Sequence, residues 1–234
     1  MKQKLFKNVV LKKNYEKYYK NQKIKNLFPS EFLVKIFLSD NHQFINNKKY
    51  KKLKLLDLSF GDGRNLNFFK KLGFKVYGTE ISNRIIKKVK INLKSDQKNI
   101  VFKVGKANYL PFKKNYFDYV VAHNSFYYLD ENIEIEENLK EIKRVMKKNS
   151  FFIGTAPKTN NYYFKNASKL GNKKYLIKND FLKIRNNSII CGFKNKSDLD
   201  KLLKKFFKKT NIGQSFNEFF KTKEYLYNFI AKNE

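Results

Sequence analysis

A turn with two glycines follows the first apolar run of the chain that is typical of a buried strand. The run covers residues 53–59, and the turn at residues 60–63 leads into a predicted helix over residues 64–72. Glycines at the carboxyl end of a parallel strand let a ligand approach the backbone closely. A dinucleotide-binding fingerprint starting at Gly61 would need a third glycine at position 66, which is Leu66 here. The turn therefore predicts a ligand site and disfavours a hydride-transfer enzyme.

An acidic residue, Glu80, ends the second predicted strand, residues 74–80. A carboxylate at a strand end can accept hydrogen bonds from both hydroxyls of a ribose. The alternative is an ordinary exposed glutamate. Glu80 lies one helix and one strand after the glycine turn, and this spacing favours ribose binding. Two further predicted strands, residues 100–104 and 117–122, end at the same edge, and the loop after residue 104 can border an adenine ring.

The elements that must position these residues alternate between strand and helix from about residue 53 onward. Ser82 is a predicted N-cap for a helix over residues 84–91, and residues 133–148 have helical spacing before a strand at 151–155. A helix at 197–209 and two antiparallel strands at 211–220 and 225–231 complete the chain. The pattern predicts an α/β fold, a Rossmann-like, doubly wound and mostly parallel sheet with an antiparallel C-terminal edge strand.

We expect one domain over residues 1–234. Residues 1–52 would form an N-terminal helical cap, which includes a helix opened by Pro29 and Ser30. Residues 53–156 would form the cofactor-binding core, and residues 157–234 an acceptor-side insertion and the closing strands. The tyrosine-rich residues 15–19 and the aromatic residues 162–164 are predicted to close over the site as a lid.

An ordered set of motifs resembles the class I S-adenosylmethionine (SAM) dependent methyltransferase family, in particular its small-molecule, methyltransferase type 11-like branch. The motifs are LDLSFGDG at 56–63, VYGTEIS at 76–82, GKANYLPF at 105–112, FDYVV at 117–121 and LKEIKRVMK at 139–147. The resemblance implies SAM as the cofactor. It also implies a set of cofactor-binding residues: Asp57, Ser59, Gly61 and Gly63 around the methionine part and the ribose, Glu80 on the ribose hydroxyls, Ile81 packed on the adenine, and Ala107 with its backbone at the adenine ring.

The chain departs from the family pattern at three positions. Ser59 replaces the usual first glycine, and Phe60 replaces a common cysteine and is expected to turn into the core. Lys106 stands where the family commonly has an acidic residue that accepts from the adenine amino group, a bond that lysine cannot accept. Asn108 or a water molecule would then take that bond, so cofactor affinity is the property affected.

Two residues are candidates for catalysis. His123 follows the fourth predicted strand and emerges at its carboxyl edge, beside the methionine end of SAM. An unperturbed histidine is mostly neutral at physiological pH, so His123 is predicted to act as a general base or to orient the acceptor. The alternative is that it contacts SAM only through its backbone. Tyr128 stands where many small-molecule relatives carry a histidine. The catalytic role is therefore either shared by His123 and Tyr128 or moved from one position to the other.

The predicted reaction is methyl transfer from SAM to an oxygen or nitrogen, or else a carbon, of a small metabolite. The helix opening at residues 29–32 and the sequence of the first strand, residues 53–59, resemble those of methyltransferases encoded among surface-polysaccharide genes. This resemblance favours a sugar or nucleotide-sugar acceptor. The net charge of +32 makes nucleic acid a partner to consider, but only four of the 52 basic residues are arginine. Abundant Lys, Asn, Ile and Phe are typical of an AT-rich genome.

Two alternatives remain at this point. An RNA or DNA methyltransferase is disfavoured because no Asn/Asp-Pro-Pro-Tyr motif, cysteine nucleophile or RNA-binding appendage is recognisable. A non-catalytic binding subunit with this fold is the second. The chain has one cysteine, Cys191, and two histidines, His42 and His123. These numbers are too small for a disulfide or a Cys/His metal site, so we expect neither. No run is long enough for a membrane span, which predicts a cytoplasmic protein. The oligomeric state stays open.

Overall fold

The computed structural model describes residues 9–22, 27–39, 45, 50–94, 98–171, 173–220 and 222–234, so His42 lies outside the described residues. The helices are α1 (Val9–Asn21), α2 (Glu31–Leu38), α3 (Leu66–Lys71), α4 (Asn83–Leu93), α5 (Ile135–Val145) and α6 (Lys196–Lys204). The strands are β1 (Lys54–Leu58), β2 (Lys75–Glu80), β3 (Val101–Val104), β4 (Phe117–Ala122), β5 (Tyr128–Leu129), β6 (Met146–Pro157), β7 (Ser168–Gly171), β8 (Lys174–Leu176), β9 (Ile189–Cys191), β10 (Lys209–Phe219) and β11 (Thr222–Asn233).

Seven strands form one large sheet in the order β10-β11-β6-β4-β1-β2-β3. Strands β1 to β4 and β6 pair in parallel, and the C-terminal hairpin β10–β11 joins β6 in antiparallel fashion. The order steps outward from β1 in both directions, which is a doubly wound topology. The mostly parallel, Rossmann-like α/β fold with an antiparallel C-terminal edge is therefore confirmed.

The large sheet is covered on both faces, which is why its central strands are continuous apolar runs. In β1, Leu55 packs into one hydrophobic cluster and Leu56 and Leu58 into the other. Helix α5 buries one stripe, Leu139, Ile142 and Val145 among its residues, as its spacing predicts. Helix α4 covers the opposite face. Because helices cover both faces of the sheet, a ligand can reach it at the polar ends of the strands.

The serine predicted to cap α4 does so. Ser82 has extended backbone angles, and its hydroxyl accepts a hydrogen bond from the Arg84 amide at 3.1 Å. The same hydroxyl donates to the carboxylate of Glu16 on α1. The start of α4, directly after Glu80, is thus fixed to the N-terminal helical cap.

Helix α1 lies against α4 and ends there. The Lys88 ammonium donates to the Tyr19 carbonyl and, at 2.9 and 2.8 Å, to the carbonyls of Lys20 and Gln22. These carbonyls belong to the last turn of α1 and its continuation, where helical partners run out, and a cation there also complements the helix dipole. The contacts hold α1 across the carboxyl edge of the large sheet.

A second, four-stranded antiparallel sheet of order β5-β9-β8-β7 was not predicted from the sequence. Its strands have two to four residues, and β7 and β8 are only partly buried, so no alternation is long enough to be recognised.

The other differences from the predicted elements are in where helices and strands begin and end. Helix α3 begins at Leu66 rather than residue 64, α6 ends at Lys204 rather than residue 209, and β6 is longer than residues 151–155.

The single cysteine of the chain, Cys191, ends β9 and is completely buried. Burial raises the pKa of its thiol to about 12. Because the thiolate is the reactive form, this side chain is chemically inert while the protein is folded.

Candidate active site

A cavity of about 290 Å³ lies at the carboxyl edge of β1, β2 and β4, under helix α1. Its wall combines strand ends, the loops after β3 and β4, one side of α1 and the loop before β9. The predicted site residues in the wall are Asp57, Ser59, Gly61, Glu80, Ile81, Ala107, Asn108, His123 and Tyr128. We call the part formed by Asp57, Asp62 and Glu80 the acidic end, and the part formed by Tyr15, Tyr128 and Arg185 the phenolic end.

Glu80 is held in place by backbone on both sides. Its Oε1 accepts from the Gly61 amide at 3.0 Å and its Oε2 from the Ile81 amide at 2.7 Å. Burial raises the pKa of this carboxyl to about 7, although the two backbone hydrogen bonds oppose the shift. Each oxygen keeps a lone pair for a further donor. The carboxylate is therefore positioned to accept two hydroxyl groups.

Asp57 is the most strongly perturbed acid in the wall. Its side chain is buried, and Oδ2 has no hydrogen-bond partner among the described residues. Burial first, and then the charges of Asp62 and Glu80, raise its pKa to about 8. A buried acceptor without a partner is uncommon and marks a place where a ligand or water donor belongs. Its neighbour Asp62 is paired with Arg64, whose Nε lies 3.0 Å from both carboxylate oxygens.

The structure accommodates both departures from the family pattern in the glycine turn, Ser59 and Phe60. Ser59 takes a left-handed backbone conformation with φ of 55°, which the family's usual glycine would adopt more easily. Phe60 turns into the core, 4% exposed, as expected. The ring fits because Gly78 on β2 lies opposite, where a Cβ would come within 2.6 Å of it.

Gly61 and Gly63 have different roles. Gly61 has φ of 62°, and a Cβ there would meet the Tyr19 hydroxyl at 2.6 Å, so the glycine leaves room between the turn and α1. Gly63 has φ of 84° and is not part of the cavity wall. A Cβ on Gly63 would meet Val89 of α4 at 2.6 Å, so it permits helix packing beside the site.

The loop after β3 carries the third departure from the family pattern. Lys106 forms an ion pair with Asp130, and both side chains are 12% exposed in the cavity wall. The Asn108 amide also donates to Asp130, at 3.3 Å. Asp130 therefore places a carboxylate beside Lys106 in the cavity wall. Sequence reasoning missed Asp130 because it lies beyond β4, outside every motif.

His123 leaves β4 toward α2. Its Nε2 lies 3.1 Å from the hydroxyl of Ser30, and its ring stacks on Phe32 with centroids 6.3 Å apart. Burial, and then the positive charge of Arg64, lower its pKa to about 4. The ring is therefore neutral at physiological pH, as predicted, but its affinity for a proton is low.

The loop after β4 is rigidly supported. The Asn124 amide N–H donates to the Thr155 hydroxyl at 2.9 Å, and that hydroxyl donates back to the Asn124 side chain at 2.7 Å. The Ser125 hydroxyl donates to the Leu58 carbonyl at 2.8 Å. These bonds fix the loop to β6 and β1, so the residues that follow β4 have defined positions.

The phenolic end brings together three distant segments. The hydroxyls of Tyr15 on α1 and Tyr128 on β5 lie 2.7 Å apart, and Arg185 from the loop before β9 completes this part of the wall. Burial raises the pKa of Tyr15 well above its usual value, so its hydroxyl stays protonated. Sequence reasoning missed Arg185, which no motif marks.

The lid prediction is supported at one segment only. Tyr15, Tyr18 and Tyr19 of α1 are in the cavity wall. The 3₁₀ turn Tyr162–Phe164 is not: Tyr163 and Phe164 are buried in the core, where Phe164 packs edge-on against Tyr175 of β8. The unrecognised second sheet is the reason, because it covers this segment.

No group of three or more His, Cys, Asp or Glu residues in the described part of the chain is arranged to hold a metal ion. None of its helices has the length and apolar character needed to span a membrane.

Solved structures share this fold over most of their length. A SAM-dependent methyltransferase of Methanosarcina mazei is 19% identical, with 82% of this chain and 97% of that chain covered and a TM-score of 0.63. A 1,6-didemethyltoxoflavin-N1-methyltransferase of Burkholderia thailandensis, solved with S-adenosylhomocysteine, is 13% identical, with 79% and 72% covered and a TM-score of 0.57. A Pyrococcus horikoshii protein is 25% identical, with 79% and 83% covered and a TM-score of 0.55.

At the sequence level, no curated protein matches the chain. The model of the family described as a methyltransferase domain matches residues 56–154, a segment that runs from β1 into β6 and contains the acidic end. Motif order, sheet topology and this match agree that residues 56–154 form a methyltransferase domain of the class I SAM-dependent type, with SAM as its cofactor.

Proposed function

We propose that this protein transfers a methyl group from SAM to an oxygen or nitrogen atom of a small metabolite. The observation that carries the proposal is a single cavity with two chemically different ends. Carboxylates at the acidic end suit a cofactor with a ribose and positive charges, and hydroxyls at the phenolic end suit a polar acceptor.

The residues present fit the cofactor. The free lone pairs of Glu80 suit the two ribose hydroxyls, and the unpartnered Oδ2 of Asp57 suits a donor at the methionine end. Ile81 and the backbone of Ala107 would border the adenine, with Asp130 as acceptor for its amino group in place of residue 106. SAM, when bound, supplies an electrophilic methyl group on its sulfonium sulfur.

The chain would contribute mainly by positioning and by excluding water. Aligning two reactants in one site is worth about 7 to 11 kcal/mol in favourable cases, and a methyl transfer needs no further chemical group if the acceptor atom is nucleophilic. Helix α1 closes one side of the cavity through Tyr15, Tyr18 and Tyr19, which limits competing attack by water.

His123 and Tyr128 would orient the acceptor. A histidine whose pKa is lowered to about 4 is a weak base, so an orienting role for His123 is favoured over proton removal. Tyr128 presents its hydroxyl beside that of Tyr15, where it can donate to or accept from an acceptor molecule. The proton that the acceptor atom loses on methylation would then pass to solvent.

The sequence-based hypothesis of a sugar or nucleotide-sugar acceptor fits a polar, hydroxyl-lined phenolic end. The protein would act in the cytoplasm. The net charge of +32 keeps RNA as the alternative acceptor.

Calorimetry and turnover together test the proposal. We expect SAM and S-adenosylhomocysteine to bind with micromolar affinity, and metabolite mixtures with SAM to yield S-adenosylhomocysteine. The controls are a protein-free reaction and Glu80→Gln. Absence of binding of both compounds at millimolar concentration would contradict the proposal, and turnover only with RNA would replace the small acceptor by the alternative.

A further inference from the structure

Arg185 is a buried arginine in the wall of the phenolic end. It is 9% exposed, and its guanidinium carbon lies 4.7 Å from the centre of the Tyr163 ring. One of its nitrogens, Nη1, is engaged: it donates to the carboxylate of Asp180 at 3.2 and 3.3 Å and to the Tyr162 hydroxyl at 3.1 Å. The side chain is therefore anchored from one side.

The other edge of the guanidinium has no partner. Nε is buried without a hydrogen bond, and in the part of the chain that the structure describes none reaches Nη2. These two nitrogens carry parallel N–H groups, the geometry that binds both oxygens of a carboxylate or phosphate. Buried donors are nearly always satisfied in folded proteins. The buried, unpartnered Nε of an anchored arginine that lines the cavity therefore indicates a missing ligand.

The surroundings of this edge are suited to an anion. Burial raises the pKa of Tyr15 well above its usual value, so its hydroxyl stays protonated, and it pairs with the Tyr128 hydroxyl beside it. Ile184 and Leu182 add apolar side chains to this part of the wall. The carboxylates that face Arg185 are Asp180, which pairs with Nη1, and Glu224, whose pKa is raised by burial. Neither forms a hydrogen bond with the Nε–Nη2 edge.

Resting on the proposed function, we infer that the methyl acceptor carries a carboxylate or phosphate group, which binds to the Nε–Nη2 edge of Arg185 and to the hydroxyls of Tyr15 and Tyr128. The acceptor class is an anionic small metabolite. The anion would be held away from the transferred methyl group, since the acidic end lies at the other side of the cavity. Arg185 is thus a specificity residue, and His123 remains nearer to the cofactor.

Binding of simple probes to the protein loaded with S-adenosylhomocysteine tests this inference. Benzoate represents a carboxylate, phenyl phosphate a phosphate, and benzamide a neutral molecule of similar shape. The titrations use ligand-observed NMR at about 0.3 M salt, which screens the exposed lysines. We expect benzoate or phenyl phosphate to bind at least tenfold more tightly than benzamide, and the better of the two identifies the anion. Equal binding of all three probes would overturn the inference.

Variants assign the preference to Arg185. The double variant Arg185→Gln/Asp180→Asn, which leaves no unpaired buried charge, is expected to reduce the preference for the anion to less than threefold. Tyr128→Phe, which leaves the ion pair intact, is expected to weaken anion binding about threefold to tenfold. The control Lys201→Gln removes one exposed charge from α6 and should change nothing.

The outcomes separate the two proposals. Unchanged anion preference in both site variants, with S-adenosylhomocysteine still bound, overturns the role of Arg185 and leaves the proposed function standing. Failure of the wild-type protein to bind S-adenosylhomocysteine overturns the proposed function instead. If the double variant does not fold, Tyr128→Phe decides alone.

Discussion

The two ends of the cavity are built in different ways. The acidic end comes from neighbouring strand ends of β1 and β2, and backbone amides hold its central carboxylate, Glu80. The phenolic end comes from α1, β5 and the loop before β9, and only side chains of Tyr15, Tyr128 and Arg185 meet there. A part fixed by backbone geometry can be shared by a whole family, whereas a part assembled from distant side chains can change with the acceptor.

The ends also differ in charge. The chain carries +32 overall, yet the acidic end places Asp57, Asp62 and Glu80 close enough for their charges to act on one another. Once Glu80 and Asp57 are ionised, such a local field attracts a positively charged ligand whatever the net charge is. The phenolic end has the opposite character through Arg185. The comparison predicts that substitutions at the acidic end weaken cofactor affinity strongly, and that substitutions near the phenolic end weaken it much less.

The largest loss of cofactor affinity is expected for Gly61→Val. A side chain at this position would take a strained backbone conformation and meet the Tyr19 hydroxyl, so it would occupy the space between the turn and α1. We expect S-adenosylhomocysteine affinity to fall about tenfold to a hundredfold by calorimetry. Gly213→Val is the matched control, since a Cβ there meets nothing within 4 Å. If both variants bind S-adenosylhomocysteine with equal affinity, the glycine turn is not part of the cofactor site.

Glu80→Gln is expected to weaken binding about tenfold and to change its pH dependence. In the wild-type protein the raised pKa values of Glu80, about 7, and Asp57, about 8, keep both groups partly protonated at neutral pH. A carboxylate accepts hydroxyl donors better than a carboxylic acid, so affinity should rise with pH through these values and binding should release protons.

Calorimetry between about pH 6 and pH 9 in buffers of different ionisation heats measures both effects of Glu80. The variant should lose the step near the lower pKa. Glu218→Gln on β10, whose carboxylate pairs with Lys223 at the surface, should behave as the wild type does. A wild-type affinity that is constant over this range would contradict the role of these carboxylates.

A smaller effect is expected for Asp130, which we propose as the acceptor for the adenine amino group. S-inosylhomocysteine carries a carbonyl oxygen in place of that amino group, so the wild-type protein should prefer S-adenosylhomocysteine by about tenfold. Asp130→Asn should reduce the preference to about threefold. Adding Lys106→Met tests whether the lysine acts only through Asp130, in which case the double variant resembles the single one. If Asp130→Asn still prefers S-adenosylhomocysteine by about tenfold, Asp130 is not the acceptor for the adenine amino group, and the Ala107 backbone would be the acceptor instead.

The smallest effect on affinity is expected at the contact between α4 and the end of α1. Lys88→Met removes the ammonium that binds the last carbonyls of α1, a cation at a helix C-terminus that is worth about 0.3 to 1 kcal/mol. Amide hydrogen exchange in α1 should become faster, and S-adenosylhomocysteine affinity should fall only about threefold. Lys87→Met, an exposed neighbour on the same helix, is the control. Equal exchange in both variants would show that α1 is held by other contacts.

The sequence predicts the acidic end and its supporting elements because each depends on short-range patterns. The apolar strand, the glycine turn and the Ser82 cap are each encoded within a few consecutive residues. At the phenolic end the sequence singles out Tyr128 and the tyrosine-rich residues 15–19. It does not mark Arg185 or show that the three side chains meet, because only tertiary packing brings them together. The same reason explains the missed Asp130 and the wrong prediction for Tyr162–Phe164. That aromatic segment is covered by a sheet whose strands are too short to be seen in the sequence.

The burial of Cys191 has a practical consequence for experiments on α1. The chain has no other cysteine, and this thiol is inaccessible and protonated in the folded protein. A new cysteine at an exposed position of α1, such as Lys13→Cys, would therefore react alone with a maleimide dye under native conditions. Fluorescence from that dye can follow movement of the helix in real time, with the wild-type chain as an unlabelled blank.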